Sequence, residues 1–497
     1  MVDSSSAPEI LPELSAAAHN FNRKKLEKAP YSLDGTHPGN FFFGQLFRIM
    51  ISSGLSIIFR TFESDKIPPN SGGRISVATH INGLVDAGVM IKTQKKRIIS
   101  LGRHDLITGP IIGWWSRRNG AQPVLRKAEI EAGLTDSEFA RKINDRSMLT
   151  IANCLAGGHG AVIMPEGKSH QDSKLHALRT GAARAALVAA AIANERGNPP
   201  PVIQPTGLHW KTHYWFRTGC FVEYSKPIDI KLVFDKQEST RLASGEWIEP
   251  PASAVHDLKD QMFNAISPLT PDSPDWETFR ALKLLANLKA INNQKPFTTL
   301  REEVLSTRNI RDDNKANSNF ERILPEAIEA AEILHSNNLD CSSIGADYNL
   351  RKLNFKSRIN ALIGLLLMSF TLIPSIIGSG IQSALARYMA EKSDEGQDAR
   401  TTYFFLAGIF SPVFFWPLIS VLAVSLSDLT LLSISGIFVA AGIIFSFYIS
   451  SLIFLLGYDL WSDYATARVR AKLSESEDGT RFELLMKNLN SQLGLLI

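Results

Sequence analysis

Three stretches without a single charged side chain dominate the last third of the chain: Ile359 to Ala386, Thr401 to Ser427 and Leu429 to Tyr458, of 28, 27 and 30 residues. A helix needs about 20 apolar residues to cross the roughly 30 Å hydrocarbon core of a bilayer, so each stretch is long enough. Three in succession argue against an ordinary soluble core and for a membrane protein.

Basic residues flank these stretches: Arg351, Lys352, Lys356 and Arg358 before the first, Arg387, Lys392 and Arg400 after it, and Arg468, Arg470 and Lys472 after the third. All favour the cytoplasmic side. The short link around Asp428 makes the last two spans a hairpin whose outer ends share one side. The first stretch is interrupted by "LIPSIIGSG", Leu372 to Gly380. Its proline and glycines suit a re-entrant or kinked segment with both ends inside, and a complete crossing is the other reading. Two to three spans are therefore expected within 357–460.

The front of the chain is of another kind. "FFFGQLFRIMISSGLSIIFRTF", Phe41 to Phe62, carries Arg48 and Arg60 in an apolar run and reads as a helix lying in the membrane interface or packed on the domain that follows. From about Ile67 to Ile230, "GRISVATH", "GAVIMPEG", "PPVIQPTGLHW" and "CFVEYSKPIDI" read as strands, with helical stretches such as "LRTGAARAALVAAAIANE" between them. That alternation predicts a mainly parallel sheet with flanking helices, spanning 41–231, with its polar loops gathered at strand ends. Further on, "DLKDQMFNAISPL" and "LPEAIEAAEILHSNNL" read as helices and "NIRDDNKANSNF" as a polar loop, so 232–356 is expected to be a helical connector or lid and 461–497 a tail. Residues 1–40 form a polar segment without the basic start and apolar run of a secretory signal. A net charge of +4 implies no nucleic-acid partner. The three scattered cysteines, Cys154, Cys220 and Cys341, suggest neither a disulfide framework nor a zinc site.

The first of those strands runs into "ATHINGLVDAG", Ala78 to Gly88. On an unbroken helix, side chains six apart diverge by about 120°, so His80 and Asp86 meet only if the chain turns between them. Asn82-Gly83 is a strong turn signal at that place. An aspartate bonded to one ring nitrogen fixes the imidazole tautomer and leaves the other nitrogen to take a proton from a hydroxyl. A capping aspartate beside an incidental histidine is the plainer reading of the spacing alone. From Ile91 to Lys127 the chain has nine Lys or Arg against one acid, Asp105, a composition suited to phosphate groups or anionic headgroups. Arg126 can grip a phosphate with two hydrogen bonds. Glu166 sits in a tight Pro-Glu-Gly loop, placed to bond an acceptor hydroxyl or to order basic neighbours.

Four blocks, in order and spacing, resemble the glycerolipid acyltransferase superfamily. "HINGLVD" has five residues between histidine and aspartate where the family usually has four, a form similar to a bacterial and fungal branch of glycerol-3-phosphate acyltransferases. "GRHDLITGPIIGWWSRRNGAQPVLRK" places Arg126 at the position of the family's phosphate-binding arginine. "VIMPEGKSHQDSKLHALRTGAAR" matches its Pro-Glu-Gly core at Pro165, Glu166 and Gly167, and continues with Ser169, His170, Thr180, Gly181 and Arg184 as that branch does. "VIQPTGLHW" puts Pro205 at the motif proline. Met164 stands where phenylalanine is usual, and Lys168 follows the core. The resemblance covers about Phe41 to Ile230, reaches the C-terminal apolar region around "SPVFFWPL" loosely, and says little about the connector.

The resemblance implies an α/β acyltransferase domain in a membrane-bound enzyme of phospholipid biosynthesis. Such an enzyme moves a fatty acyl group from acyl-CoA or acyl-acyl carrier protein to the sn-1 hydroxyl of glycerol 3-phosphate, with no other cofactor and no metal. His80 is then the base and Asp86 its support. Arg103, Arg126, Glu166, Gly167, Lys168, Ser169 and Arg184 are expected at the substrates, with Asn82, Gly83, Pro165 and Pro205 shaping the loops. The expected setting is a bacterial inner membrane with the catalytic domain cytoplasmic, or the endoplasmic reticulum in a eukaryote. A lysophospholipid or dihydroxyacetone phosphate acceptor remains open, as does a non-catalytic lipid-binding role.

Overall fold

Eight strands form one mixed sheet: β1 (Phe59–Ser64), β2 (Arg74–Val77), β3 (Ile98–Arg103), β4 (Gln122–Val124), β5 (Gly160–Ile163), β6 (Val202–Trp210), β7 (Thr218–Tyr224) and β8 (Ile228–Asp229). Their order is β1-β7-β6-β2-β5-β3-β4, with β8 also on β6. The computed structural model describes residues 19–28, 38–110, 112–212, 215–315, 317–392, 397–427, 429–430 and 432–495. Pairing is parallel from β6 through β2, β5 and β3 to β4, and again between β1 and β7; only β7 and β8 run against β6. β2 is buried at all four positions, as an inner strand covered on both faces must be. Pro205 closes the β2–β6 pairing opposite Val77, and β7 takes over at Thr206, so the missing N–H falls where β6 changes partner.

One face of the sheet is covered by the helices Ser137–Ala156, Gly181–Glu195 and Ala252–Ile266, the second so rich in alanine that it lies close against the strands. The other face is covered by the helices Phe41–Ile58 and Leu84–Thr93 and, from far along the chain, by Gln397–Phe410. Phe405 and Ile409 of that last helix are fully buried in the same core as Ile58, Val85 and Leu208. Burying a side chain of this size contributes about 1.5–3 kcal/mol, so this apolar helix is part of the core of the sheet domain.

The Phe41–Phe62 run divides: the helix stops at Ile58 and β1 begins at Phe59, because the chain there finds a parallel partner in β7. The helix buries Met50, Ile51 and Leu55 and exposes Phe41, Phe42 and Ile49. Arg48 donates to the backbone carbonyls of Gln94 and Lys95, which fixes it to the domain.

In the connector, Trp276–Asn292, Leu300–Asp313 and Ser318–Ser336 share a core with the C-terminal helix Glu477–Gln492, so the segment read as a tail closes the connector. The expected loop "NIRDDNKANSNF" is corrected: Asn309 to Asp313 are helical. A capping box of Thr299 with Glu302 starts that helix, and Arg311, buried, donates to the carbonyls of Thr270, Pro271 and Pro268 near its end.

Among the described residues, four helical segments are long and apolar enough to cross a membrane: Phe41–Ile58, Phe355–Lys392, Arg400–Ser425 and Ile434–Ser474. The last, at 41 residues, is about 60 Å long, twice a hydrocarbon core. Its outer end bears Asp459 and Asp463, which Arg217 and Arg60 hold to the catalytic domain through two-pronged ion pairs. Arg217 also donates to the carbonyls of Ser56, Ile57 and Phe59 at the end of the first apolar helix.

The interrupted segment is helical throughout but bent. Gly364 lies against Gly457, the two backbones so close that a Cβ on either meets the other's carbonyl within 2.7 Å. Gly378 lies against Phe447 and accepts a hydrogen bond from the Trp416 indole. The chain thus climbs away from the catalytic domain as far as the π turn Ile376–Gly380, behind Pro374. The following helix, Ile381–Lys392, packs along Gln397–Phe410, and the short link between them makes the pair antiparallel. Phe404 meets Phe216 of the catalytic domain, so the segment returns to the side it left. The bend behind Pro374 is the feature on which the re-entrant reading of this stretch rests, and labelling in sealed vesicles tests it. Cysteines introduced at Lys356 and Lys392 are then expected to react with an impermeant maleimide from the same face of sealed vesicles, and one at Leu432 from the opposite face; labelling of 356 and 392 from opposite faces overturns this arrangement.

Candidate active site

The inner parallel strands end along one edge, where Val77 of β2 lies beside Ile163 of β5, and Arg103 of β3 beside Val124 of β4. His80, Glu166 and Arg126 lie in the loops beyond those ends and Arg103 at the end of β3 itself, so all four lie along the edge at which open α/β sheets bind ligands. In the order β2-β5-β3-β4, Arg126 stands three strands from His80, about 14 Å across the sheet.

His80 and Asp86 do meet. Gly83 turns the chain with φ +54°, a conformation that favours glycine, and starts the helix Leu84–Thr93 that carries Asp86 in its first turn. His80 Nδ1 lies 2.9 Å from Asp86 Oδ2, and the Asn82 backbone N–H donates to the same oxygen at 2.8 Å. A carboxylate only accepts, so Nδ1 carries the proton and Nε2 is the ring's acceptor nitrogen. Asp86 is wholly buried, whereas the imidazole keeps 21% of its surface.

Glu166 is bonded on every side by the protein. Oε2 accepts from the Thr79 hydroxyl at 3.1 Å and from the His80 N–H at 2.8 Å; Oε1 accepts from His170 Nε2 and from the His176 N–H, both at 2.8 Å. Burial pushes its pKa up, but the hydrogen bond and charge of His170 and the two backbone N–H groups outweigh that and hold it below the usual carboxylate range. With four bonds made, its geometry is that of a brace that orders the dyad loop. The His170 N–H donates to the His80 carbonyl, tying the two loops together again. Pro165 accepts from the Arg179 N–H, and Gly167 turns with φ +80° under the Arg179 side chain.

The basic side chains are less available than their number suggests. Arg126 pairs with buried Glu129 through Nε at 3.0 Å and Nη2 at 2.6 Å, and Arg103 pairs in the same two-pronged way with Asp105. Asp105 is pushed up by burial and brought down further by Arg103, ending below its ordinary value. A phosphate at either guanidinium must share it with a resident carboxylate. Arg184 points to Glu249, beside Asp145 and Trp247, away from the dyad's own contacts. Arg97 donates to the Gly39 carbonyl, Lys96 to that of Gly158, and Lys92 lies over the Phe62 ring. Lys168 and Ser169 are half-buried and, among the described residues, make no side-chain hydrogen bond.

His170, Asp172 and His176 lie close enough to share an ion. Both ring nitrogens of His170 are nevertheless engaged, Nε2 with Glu166 and Nδ1 with the Asp172 N–H, so the trio lacks a full set of donors. Sequence reasoning missed Thr79, His176 and Arg179, and no local pattern marked them. Behind the dyad loop a cavity of about 90 Å³ is walled by Ile81, Leu208 and Trp210 of the domain and by Trp276, Phe279 and Leu334 of the connector.

The imidazole–carboxylate pair thus lies beyond the strand ends of the parallel part of the sheet. Residues 60–208 match the family described as Acyltransferase. Among solved structures, the chain is similar to the crystal structure of the 1-acyl-sn-glycerophosphate (LPA) acyltransferase PlsC from Thermotoga maritima, with 13% identity and a TM-score of 0.27 over 45% of this chain and 78% of that one. No curated protein matches the sequence.

Proposed function

We propose that the protein transfers a fatty acyl group from a thioester, acyl-CoA or acyl-acyl carrier protein, to the sn-1 hydroxyl of glycerol 3-phosphate in phospholipid biosynthesis. The observation that carries this reading is the His80–Asp86 pair, with Nδ1 held by a buried carboxylate, inside an acyltransferase domain. Nε2 takes the proton of the acceptor hydroxyl as its oxygen attacks the thioester carbonyl. The tetrahedral intermediate collapses with loss of the thiolate, which recovers the proton from the imidazolium, so ester and thiol leave together. Arg126 and Arg103, with Lys168 and Ser169, receive the phosphates; Glu166 positions the dyad loop, and Arg184 serves at the rim. The cavity behind Ile81 suits the start of an acyl chain, being mostly apolar and adjacent to the dyad. The apolar helices keep the domain at the bilayer, where acyl donor and product reside, on the cytoplasmic face of a bacterial inner membrane or of the endoplasmic reticulum.

The test is acylation by the full-length protein in nanodiscs, with radiolabelled acyl-CoA and three acceptors in parallel. Glycerol 3-phosphate is expected to give a monoacyl product. Product from lysophosphatidic acid alone reassigns the acceptor, and product from dihydroxyacetone phosphate alone does likewise; both keep the chemistry. Fatty acid released without any acceptor shows a hydrolase instead.

A further inference from the structure

We propose that Thr401 and Thr402, in the apolar helix that begins the last membrane hairpin, are positioning residues for the His80–Asp86 pair, so that this helix is part of the catalytic apparatus. The proposal rests on the acyl-transfer reading of that pair for its kinetic test, and on geometry for the rest.

Thr401 donates its hydroxyl to Asn82 Oδ1 across 319 positions of sequence, and both side chains are buried. The Asn82 backbone N–H in turn donates to Asp86 Oδ2, the oxygen that holds His80 Nδ1. A buried chain of hydrogen bonds therefore runs Thr401, Asn82, Asp86, His80. Next to it, the helix that carries Asp86 starts at Gly83, which has no side chain to cap it. The first N–H groups of a helix lack partners within it, and Thr402 Oγ1 accepts that of Leu84 at 3.2 Å. One membrane helix thus fixes the catalytic turn and caps the catalytic helix in trans.

Close packing sets the reach of these short side chains. Phe405 lies against Gly88 and Gly54, where an added Cβ meets its ring at 2.6 and 2.8 Å, and Gly408 lies against Gly54 itself. The glycines let the two helices and the apolar one approach until hydroxyls only one carbon from the backbone span the gap. Both threonines lie in an apolar helix long enough to cross a membrane, so a shift of that helix acts directly on the dyad turn.

The experiment compares full-length wild type, Thr401→Val, Thr401→Ser and Thr402→Val in nanodiscs. Valine keeps the shape of threonine and removes the hydroxyl; serine keeps the hydroxyl. Misplacing a base by less than about 1 Å costs on the order of 10- to 100-fold in rate, so Thr401→Val is expected to lower kcat by that factor with KM for donor and acceptor nearly unchanged. Thr401→Ser is expected to restore kcat to within about threefold of wild type, and Thr402→Val to show a smaller loss, about threefold. Wild-type kcat in Thr401→Val overturns the proposal, and so does an equal loss in Thr401→Ser, which shows that packing alone matters. A second readout needs no turnover: the pH profile of His80 modification by diethyl pyrocarbonate, followed by mass spectrometry. A displaced profile in Thr401→Val supports the proposal even if wild type acylates no acceptor offered, an outcome that overturns the acyl-transfer reading alone. An unchanged profile overturns the positioning role.

Discussion

Replacing His80 by alanine will lower kcat on the order of 10²- to 10⁴-fold, the contribution of a positioned general base, while KM for the acyl donor stays within a few-fold. The imidazole is partly exposed and its ring enters no core, so truncation leaves the fold intact. Asp86→Asn is the sharper variant. It preserves volume at a position with no exposure. Oδ2 serves both the Asn82 N–H and Nδ1, so the amide offers one group to both: its oxygen keeps the two hydrogen bonds without the charge that steadies the imidazolium, whereas its NH2 group sends the proton to Nε2 and leaves the Asn82 N–H facing a donor. The expected loss is again at least about 100-fold in kcat, and the NH2 orientation also lowers the melting temperature, because it leaves the buried Asn82 N–H against a donor. Steady-state kinetics in nanodiscs at saturating acyl-CoA measure it; full rate in either variant removes His80 from the mechanism and leaves the rest of the site in need of another base.

These consequences were legible early because the dyad is local. His80, the Asn82-Gly83 bend and Asp86 lie within seven residues, and one turn rule decides whether they meet. β2, β5 and β6, though not β3, were legible for the same reason, as short β-branched runs. β1 was not, because the apolar run that forms the Phe41–Ile58 helix continues into it without a break in composition, and only the parallel partner β7 distinguishes the two. Arg126 illustrates the opposite failure. The stretch to Lys127 looked almost free of acid, yet Glu129, two residues past its end, occupies the guanidinium and caps the helix that Arg126 starts. Counting charges along the chain misses a partner three residues ahead that the helix places on the same face.

The larger surprise is topological. The helices of the apolar C-terminal region do not simply anchor a finished domain. Gln397–Phe410 supplies buried side chains to the face of the sheet opposite the alanine-rich helix, and Asp459 and Asp463 draw the far end of the longest helix onto Arg217 and Arg60. Arg217 and Asp459 are each about one-tenth exposed, and removing one member of such a pair leaves the other buried and uncompensated. Periodicity along one segment carries no information about contacts between segments hundreds of residues apart, so the anchor and the catalytic domain had to read as separate bodies.

Glu166→Gln tests whether the Pro-Glu-Gly loop serves the dyad from beneath. The carboxylate accepts from four donors, and an amide can satisfy only one pair with its oxygen. If its NH2 faces Thr79 and His80, the threonine hydroxyl can turn and accept, but the His80 N–H is left facing another donor. A buried donor without a partner costs about 1–3 kcal/mol, and here it is the amide of the catalytic residue itself, so kcat is expected to fall together with stability. The pH dependence separates this from general damage. The folded pKa of Glu166 lies below its unfolded value, so the carboxylate stabilises the protein above the ordinary range of about 4.3, and that stability is lost as pH falls through the depressed folded value. Melting temperatures measured from pH 7 down to 3 are therefore expected to fall more steeply for wild type than for Glu166→Gln, with the two curves converging at the acid end. Parallel curves would mean that the charge of Glu166 contributes nothing to the folded state, and the brace beneath His80 would have to be sought in the His170 and His176 loop instead.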